Sequence, residues 1–571
     1  MKGKKLTALL SAGLMLLSQG VTFPVGSTAA SAAADDTQDD WLHVEGDKIV
    51  DMNGNEVWLT GVNWFGYNTG RQVFDGVWSK NLHSMLTQIA DHGFNLLRVP
   101  MSTQILLQWK NKESDDKSPF GIKDYVNAYS NPELTVEGGV DGQGRYTIMY
   151  SFDIWNMAVQ WCNELGIKIM IDIHSASSDP VGHQKPLWYD DKYSADDWLE
   201  ALSWFADYYK NDDTIIAIDL KNEPHGKPEE QQFAKWDDST DDNNWKYAAE
   251  RGAMAVLKQN PNLLIMVEGN ECYPDFAAGA DWTTPAVDYA HYDEPSKIFG
   301  AWWGGNLRGV RDNPLDEKLK SHIVYSPHDY GPLVYDQKWF YMKDETRSFD
   351  RQSLLDDYWY DTWAFIAEEH IAPLLVGEWG GFIDAVNDPT GENTHWLHEI
   401  RDYMIDKHIH HTFWCFNENS GDTGGLVWDD FGQWDVEKYE LVKPALWQDE
   451  NGVFISLDHQ IPVGANGMSL SDYYSGSRPE PKTTPEETTE TTTTEPDSEN
   501  LRGDVDCNGV VNVLDAVLLS RVAAEDTKSG VTEQGKLNAD VDGVIGVSTK
   551  DLTHLLKYLA GLISEKDFYG K

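Results

Sequence analysis

Two glutamates stand directly after apolar runs of this chain. Glu223, in an Asn-Glu-Pro sequence, follows the run 215–220, and Glu378, in a Gly-Glu-Trp-Gly sequence, follows the run 373–376. Each run indicates a buried parallel strand, so each glutamate is expected at the C-terminal end of a strand. Two carboxyl groups placed in this way are what cleavage of a glycosidic bond by a general acid/base and a nucleophile requires. The pair therefore predicts that chemistry.

The two glutamates belong to a series of eight short apolar runs that alternate with helical patterns. Leu82, Met85, Leu86 and Ile89, for example, have the spacing of an amphipathic helix. Eight apolar strands separated by helices predict an α/β fold, a (β/α)8 TIM barrel. An open doubly wound sheet is the alternative, but it gathers its ligand groups at one switch point, whereas polar groups here follow most of the runs. The runs lie near 59–62, 96–99, 167–173, 215–220, 263–267, 323–325, 374–376 and 412–414.

Polar residues just past the strand ends are where barrel enzymes keep their catalytic groups. A single glutamate at such a position is explained equally well by a structural salt bridge. Two glutamates, accompanied by an arginine, two histidines, an asparagine and a tryptophan at neighbouring strand ends, are difficult to explain by stability alone. The candidates are Arg98, His174, Asn222, Glu223, His328, Tyr330, Glu378 and Trp414.

These motifs, taken in order, resemble glycoside hydrolase family 5, and within it the bacterial endoglucanases. They cover nearly all of residues 41–450 and follow the family's order. The Asn-Glu-Pro match is weak alone, but the ordered set is specific. The matching stretches are GVNWFG at 61–66, LRVP at 97–100, DIH at 172–174, NEP at 222–224, HDY at 328–330, GEWG at 377–380 and NSGDTGG at 419–425.

The resemblance implies a retaining mechanism with Glu223 as the general acid/base and Glu378 as the nucleophile that forms a covalent glycosyl-enzyme. Their carboxyl groups are then expected about 5–5.5 Å apart. A negative Glu378 is expected to raise the pKa of Glu223 and keep it protonated for the first step. Arg98 is expected to hold Glu378 ionised, while Tyr330 and His328 orient it.

The resemblance also implies substrate contacts. Asn222 would donate to the sugar 2-hydroxyl, and His174 would line the subsite around the cleaved bond. Trp414 would be the floor on which the sugar before the cleaved bond stacks, and Trp303 would face the leaving side.

Other residues near the strand ends have a plain structural explanation. Glu268 follows a strand and is explained equally well as a supporting acid, and His225 has no counterpart in the family. Trp64 and Trp78 are at least as well explained by core packing as by sugar binding. Asp75 stands where the relatives lead us to expect histidine, so the outer cleft is expected to differ from theirs.

The C-terminal part of the chain changes character. Residues 477–500 are dominated by Thr, Glu and Pro, which cannot bury a core and predict a flexible linker. Residues 501–568 contain a repeat in which 504–524 aligns with 540–560, an acidic loop followed by an apolar helix in both copies. We therefore predict a signal peptide at 1–34, a catalytic barrel at 35–476, the linker at 477–500 and a small all-α module at 501–568.

The acidic loops of the repeat have the spacing of calcium ligands. In the second loop Val544 replaces a ligand and Ile545 replaces the turn glycine, so we expect weaker or absent calcium there. Predicted ligands are Asp504, Asp506, Asn508, Val510 (through its carbonyl), Asn512 and Asp515 in the first loop, and Asp540, Asp542 and Asp551 in the second.

An aspartate at the last ligand position, and only one helix for each loop, resemble a type I dockerin. This resemblance implies a calcium-folded module that binds a cohesin module of a scaffoldin, and hence association with a cellulosome. Ca²⁺ would be structural, and no cofactor is expected for catalysis.

The net charge of the chain limits the kinds of partner that it can bind. A net charge of −49 over 571 residues repels nucleic acid and anionic polymers, and suits a neutral substrate. Three early lysines, the apolar stretch 6–17 and the small residues 29–34 predict a secretory signal. No other segment approaches the length of a membrane span, so we expect a secreted chain without a membrane anchor.

Four cysteines allow two disulfides, but their positions favour another interpretation. Cys162 falls on the apolar stripe of a helix, Cys415 lies in a strand, and Cys507 lies in the first acidic loop. We expect the first two to be buried free thiols.

The combined expectation is a secreted, retaining endo-β-1,4-glucanase that acts on β-1,4-glucan and joins a scaffold through its dockerin. A β-mannanase or a xyloglucanase would use the same barrel and carboxylates, so both remain as alternatives. A non-catalytic carbohydrate-binding subunit would need a lost acid or nucleophile, and both glutamates are present.

Overall fold

The computed structural model describes residues 39–112, 122–140, 146–286, 296–342, 346–476, 502–505, 511, 513–523, 531–541, 547–559 and 568. The chain divides into two compact units between residues 483 and 484. The predicted signal peptide and linker, Cys507, and the ligand positions Asp506, Asn508, Val510, Asn512 and Asp542 lie outside the described residues.

Eight parallel strands form one sheet in the first unit. They are β1 (Thr60–Asn63), β2 (Leu96–Ser102), β3 (Lys168–Ser175), β4 (Ile215–Asp219), β5 (Leu264–Val267), β6 (Ile323–Tyr325), β7 (Leu375–Trp379) and β8 (His410–Phe413). Their order in the sheet is β6-β5-β4-β3-β2-β1-β8-β7, and isolated bridges connect β6 with the start of β7 and His328 with Glu378. The sheet is therefore a nearly closed barrel, which confirms the predicted α/β barrel and all eight predicted runs.

Helices follow most of the strands. Asn81 caps the first of them by accepting from the Ser84 amide at 2.8 Å, and Ser194 and Asp197 form a capping box on the fourth. The helices are α1 (Leu82–Asp91), α2 (Thr103–Asn111), α3 (Ser151–Glu164), α4 (Ala195–Tyr208), α5 (Trp245–Leu257), α6 (Gly309–Asp312), α7 (Arg351–Leu354) continuing as a π-helix (Leu355–Ala364), α8 (Phe365–Glu368), α9 (Glu392–Lys407), α10 (Val436–Val442) and α11 (Leu470–Ser475).

Short antiparallel pairs decorate the barrel. The first strand of these pairs, His43–Glu45, packs against Lys48–Val50 through a tight turn. The pairs are His43–Glu45 with Lys48–Val50, Thr135–Val140 with Tyr146–Ile148, Cys272–Pro274 with Ile298–Gly300, and Val427–Trp428 with Gln433–Trp434.

Strand periodicity sorts the side chains of the barrel into two layers. Leu97, Ile169 and Ile171 point away from the barrel axis and pack in the main core between strands and helices. Leu96 and Met170 point to the opposite face and belong to a second apolar cluster. Since side chains alternate across a strand, the residues two positions after Leu96 and Met170 face the same way as they do. Those residues are charged, so the barrel interior changes from apolar to charged towards the C-terminal ends of the strands.

The second unit contains a structural repeat. Helices α12 (Val513–Ala523) and α14 (Thr549–Leu559) are both 11 residues long and start 36 residues apart, with α13 (Glu533–Asn538) between them. Asp515 Oδ1 accepts from the Val505 amide at 2.7 Å, and Asp551 Oδ1 accepts from the Val541 amide at 2.9 Å. The predicted internal repeat is thus confirmed in the residues that can be compared.

Among the described residues, no helix combines the length and apolarity needed to cross a bilayer. Cys162, Cys272 and Cys415 are buried free thiols, which confirms the prediction for Cys162 and Cys415.

Candidate active site

A buried arginine organises the charged layer of the barrel interior. Arg98 on β2 is fully buried, and its guanidinium bonds to Glu378 Oε1 at 2.8 Å and Asp219 Oδ2 at 2.9 Å. Asn63 and Asn222 accept further bonds from it, at 2.9 and 3.2 Å. Because guanidinium presents five donors in a fixed plane, this one side chain positions groups from three other strands, β1, β4 and β7.

Glu378 is held at both carboxylate oxygens. Arg98 donates to Oε1, and the Tyr330 hydroxyl donates to Oε2 at 2.6 Å. Its side chain is 5% exposed and faces the cleft described below. These two donors fix the rotamer of the carboxylate, which is the arrangement that a carboxylate nucleophile needs.

Glu223 adopts an unusual backbone conformation. Its φ is +50°, in the left-handed region that costs a residue with a side chain about 1–3 kcal/mol. The Glu223 amide donates to Glu268 Oε2 at 2.7 Å, which helps to hold this conformation. Gly304 packs against the pair, and a Cβ there would lie 2.1 Å from Glu268 Oε2. The geometry directs the Glu223 carboxyl group into the cleft.

His328 lies between the two predicted catalytic carboxylates. Its Nδ1 is 3.1 Å from Glu223 Oε1 and 3.5 Å from Glu378 Oε2, and its Nε2 is 3.2 Å from Glu268 Oε1. Burial lowers the pKa of His328, but Glu268, Glu378 and Glu223 outweigh it and raise this pKa well above its ordinary value. His328 is therefore a cation in the resting site.

This cation overturns one expectation about Glu223. Burial raises the pKa of Glu223, but the hydrogen bond and charge of His328, with smaller contributions from His183 and His174, lower it to about 2. The prediction that Glu223 stays protonated in the resting site is therefore wrong, because His328 outweighs any rise in the pKa of Glu223 that Glu378 causes. The physical reason is that the imidazolium approaches both carboxylates, so the proton resides on His328 instead of Glu223.

The two carboxylates are close enough for a double displacement. Glu223, His328 and Glu378 each offer an atom within 4.8 Å of the others. Retaining glycosidases place their carboxyl groups about 5–5.5 Å apart, whereas inverting enzymes need about 6.5–9.5 Å. Asp219, Glu268 and His328 form a second such group. Metal ligands also cluster in this way, but here Arg98 supplies the positive charge among the carboxylates.

Glu268 is a residue whose role the sequence left open. It is fully buried at the end of β5, bonded to the Glu223 amide and to His328, and 3.4 Å from Arg98. Burial raises the pKa of Glu268, and the charges of His328 and Arg98, together with a hydrogen bond from His328, oppose that rise. Glu268 therefore connects the Glu223 backbone with the side chains of His328 and Arg98. The inward alternation of β5, from Met266 to Glu268, was the available signal.

The site opens into a cleft of about 810 Å³. Trp414 lies on one wall, with the His174 ring parallel to it at 5.8 Å and Phe65 stacked at 5.6 Å. Asn222 also lines the cleft, and because its Oδ1 is occupied by Arg98, its Nδ2 is the group available to a ligand. The cleft thus combines an aromatic wall with polar groups beside the carboxylates.

Trp303 lies on the other side of the carboxylates. It lines the cleft, and the His225 ring stacks against it at 3.8 Å with an angle of 8° between the planes. His225 was set aside in the sequence, yet it lines the cleft as well. It follows Glu223 by two residues, and only the fold places it against a tryptophan 78 positions later.

Asp75 fills the position where histidine was expected. It is buried and accepts two bonds from Arg71, at 2.5 and 2.6 Å, and one from Asn419 at 2.8 Å. Arg71 and Asn419 both line the cleft. Trp64 is fully buried and belongs to the core, whereas Trp78 is partly exposed.

The structure brings all the predicted barrel residues together. Glu223, Glu378, His174, Asn222, Tyr330, Trp414 and Trp303 line the cleft. Arg98 and His328 lie beneath it, fully buried, and contact the carboxylates. Of the predicted calcium ligands, Asp504, Asp515, Asp540 and Asp551 are described, and the first two and Asp551 are buried.

Known proteins are similar to this chain in sequence and in fold. Residues 50–420 match the model of the cellulase family, glycosyl hydrolase family 5. The chain is 46% identical to endoglucanase G of Acetivibrio thermocellus over 92% of both chains, and 40% identical to endoglucanase B of that organism over 82% of this chain and 83% of that one.

Solved structures agree with the sequence comparison. A cellotetraose complex of an endocellulase from Pyrococcus horikoshii superimposes with a TM-score of 0.58 and 30% identity, over 71% of this chain and 98% of that one. The catalytic domain of the major endoglucanase from Xanthomonas campestris gives 0.55 and 28%, over 71% and 99%. This chain is a glycoside hydrolase and belongs to glycosyl hydrolase family 5, the cellulase family.

Proposed function

We propose that the chain is a retaining endo-β-1,4-glucanase that cleaves internal bonds of cellulose-type glucans. The observation that carries the proposal is the pair Glu223 and Glu378, whose carboxylate oxygens come within 4.8 Å in a cleft walled by aromatic side chains. That spacing suits direct attack by one carboxylate and is too short for a water molecule to be activated between them.

In the first step Glu378 attacks the anomeric carbon while the glycosidic C–O bond breaks. Glu223 gives a proton to the departing oxygen, and a covalent glycosyl ester forms on Glu378. The resting proton lies on His328, so it first passes across the 3.1 Å bond from Nδ1 to Glu223 Oε1. Arg98 and Tyr330 hold the attacking carboxylate in place.

In the second step a water molecule attacks the same carbon and releases Glu378. Glu223, now a carboxylate, takes the proton from that water and returns it across the same bond to His328 Nδ1, which restores the resting site. Ester formation has removed the negative charge of Glu378, which makes the ionised form of Glu223 easier to keep. Two successive inversions leave the configuration of the sugar unchanged.

The walls of the cleft position the substrate for these steps. Trp414 offers a flat apolar face to a pyranose ring beside the cleaved bond, and Trp303 offers a second on the leaving side. Asn222 Nδ2 is available to the 2-hydroxyl, where a hydrogen bond strengthens as the transition state develops.

The relatives favour a glucan over the alternatives. Two of them are named endoglucanases, and a similar solved structure is described as a cellotetraose complex of an endocellulase. β-Mannanase or xyloglucanase activity would use the same carboxylates and differ only in the outer subsites. A purely binding role is disfavoured because Glu223 and Glu378 are both held in reactive geometry.

We also propose that the chain is secreted and that its C-terminal repeat is a dockerin that binds a cohesin. The repeat of helix and buried aspartate at an offset of 36 residues supports the module. Carboxylate oxygens are the ligands that Ca²⁺ prefers, and Asp504 and Asp515 fit such a site. In the second loop Val544 replaces a ligand and Ile545 replaces the turn glycine, which supports weaker calcium binding there.

The test of the catalytic proposal is hydrolysis of carboxymethylcellulose beside galactomannan, by the full chain and its Glu378→Gln variant. We expect the wild type to reduce the viscosity of the cellulose derivative and the variant to be inactive. The glutamine keeps the shape but cannot attack. Activity on galactomannan alone would keep the mechanism and overturn the substrate assignment. Equal activity of both proteins would overturn the assignment of the nucleophile.

The calcium proposal is tested by calorimetry on the full chain. We expect one tight site, abolished by Asp515→Ala and little changed by Asp551→Ala. Two equally tight sites would contradict the ranking of the loops.

A further inference from the structure

Three aromatic side chains lie at the surface beyond the Arg71 end of the cleft. Tyr129 is 86% exposed and Trp428 is 53% exposed, values that stand out for such large apolar rings. Trp78 is partly exposed between the loops that carry the other two. We call Trp78, Tyr129 and Trp428 the aromatic rim.

Backbone bonds place the members of the rim beside one another. The Asn127 amide donates to the Val77 carbonyl at 3.0 Å, and the Ser130 hydroxyl donates to the Ser79 carbonyl at 3.1 Å. The loop that carries Tyr129 is therefore attached on either side of Trp78. Tyr146 packs edge-on against Tyr129 at 5.8 Å and extends the surface.

A strained turn attaches Trp428 to the same place. Asp429, Asp430 and Phe431 all have positive φ, between 56° and 61°. Such conformations cost about 1–3 kcal/mol each and persist where surrounding structure or function requires them. Asp430 Oδ1 accepts from Trp78 Nε1 at 3.0 Å, so the turn also orients the Trp78 ring.

The rim is continuous with the cleft. The Arg71 guanidinium, which lines the cleft, lies 5.9 Å from the centre of the Trp78 ring. Asp75 connects Arg71 with Asn419, another lining residue. These residues follow β1 and β8, whereas His225 and Trp303 follow β4 and β5 across the barrel. The rim therefore lies at the end of the cleft away from Trp303.

We propose that the aromatic rim binds the part of a β-1,4-glucan chain that extends out of the cleft at the Arg71 end. Pyranose faces are apolar and stack on aromatic rings, and the carboxylates of Asp429 and Asp430 accept hydrogen bonds from sugar hydroxyls. Long or insoluble chains would then gain contacts that a short oligosaccharide confined to the cleft does not make. This inference rests on the proposed glucanase function.

The test compares Tyr129→Ala and Trp428→Ala with Tyr474→Ala in the full chain. Tyr474 is 42% exposed on α11, at the opposite end of the barrel. Binding to swollen cellulose is measured in the Glu378→Gln background, and hydrolysis of cellotetraose in the active background. We expect each rim substitution to weaken cellulose binding about fivefold, as loss of roughly 40 Å² of apolar contact would. We expect kcat/KM on cellotetraose to stay within about twofold of wild type.

The outcomes separate the two proposals. Unchanged cellulose binding by both rim variants overturns the proposed role of the rim. An equal loss of kcat/KM on cellotetraose in the rim variants, or an equal loss of cellulose binding in Tyr474→Ala, overturns it as well. A wild type that hydrolyses neither carboxymethylcellulose nor cellotetraose overturns the glucanase proposal itself. Trp78→Ala provides a third variant, and its folding is checked by its thermal transition.

Discussion

Two buried cations, one at each end of the barrel, are surrounded by carboxylates. Arg98 lies at the C-terminal ends of the strands, within 3.4 Å of Asp172, Asp219, Glu268 and Glu378. Lys168 begins β3 at the other end, 2.7 Å from Asp40 and 3.1 Å from Asp458. Both clusters obey the rule that a buried charge needs partners.

The clusters differ in what their outer members face. Around Arg98, the side chains of Glu378 and Glu223 are 5% and 12% exposed and border the cleft. Around Lys168, the carboxylates come from distant parts of the chain, and His459 bridges Asp40 and Asp51 at 2.6 and 3.0 Å. The same kind of ion pairing therefore joins distant parts of the chain at one end of the barrel, and at the other end it holds carboxylates beside the cleft.

The largest expected effect concerns the cluster around Arg98, which borders the cleft. Glu223→Gln should lower kcat on carboxymethylcellulose about 10³-fold, because protonation of the leaving oxygen is lost. The loss should be much smaller on an aryl cellobioside whose leaving group needs no proton. The unfolding free energy should change by less than about 1 kcal/mol. Equal losses on both substrates would show that Glu223 is not the acid.

The next effect concerns the cluster around Lys168, at the other end of the barrel. Lys168→Met leaves Asp40 and Asp458 buried without their cation, so the unfolding free energy should fall by about 3 kcal/mol. The kcat measured below the unfolding transition should not change. Lys210→Met is the matched control, since it breaks an exposed pair with Asp207 and should cost less than about 0.5 kcal/mol. Denaturant unfolding of both variants measures the difference, and equal costs would refute it.

Glu268→Gln tests whether a buried carboxylate positions the catalytic pair. It weakens the bond to the Glu223 amide and removes a carboxylate 3.2 Å from His328. We expect kcat to fall roughly tenfold through misplacement of Glu223. The pKa of His328, raised by that carboxylate, should fall, and the alkaline limb of the pH–rate profile should move to lower pH.

A control separates this effect from general damage. Asp388→Asn replaces another buried carboxylate, one that caps the start of α9. It should leave the pH–rate profile in place. If Glu268→Gln also left the profile unmoved, the proposed positioning role would be wrong.

The smallest expected effect is a pH dependence of the stability that His459 contributes beside the Lys168 cluster. The hydrogen bonds that His459 donates to the Asp40 and Asp51 carboxylates raise the pKa of His459 despite its burial. A raised histidine pKa gives stability that is complete below the unfolded value of about 6.5 and is lost as the pH rises through the folded value. The part of the unfolding free energy that His459 contributes should therefore fall as the pH rises above about 6.5, by less than Lys168→Met costs. His459→Asn should flatten this dependence, and an unchanged slope would contradict the assignment.

Much of the barrel was predictable because each buried strand is a continuous apolar run. The glutamates Glu223 and Glu378 were predictable for the same reason, since a polar residue after such a run marks a strand end. The prediction that the structure overturned, the protonation of Glu223, depended on which residues are close in space. His328 lies 105 residues from Glu223, so its effect on the pKa of Glu223 could not be derived from either motif.

The aromatic side chains illustrate the same limit. Trp64 and Trp78 have similar surroundings in the sequence, yet one is in the core and the other is at the surface. His225 was set aside because no motif included it, and the fold stacks it on Trp303. Periodicity reports which face of an element is buried, but it does not report which distant loop covers that face.

The amino-acid sequence alone determined the strands, their arrangement as a barrel, the placement of Glu223 and Glu378 at strand ends and the C-terminal repeat. Those features follow from local patterns of apolar and polar residues. The tertiary structure decided the protonation of His328 and Glu223, the role of Glu268 and the position of the aromatic rim. These depend on electrostatic and packing contacts between residues far apart in the chain, such as Trp78 and Asp430, which are 352 positions apart. Only the barrel fold brings such residues within a few ångströms of one another.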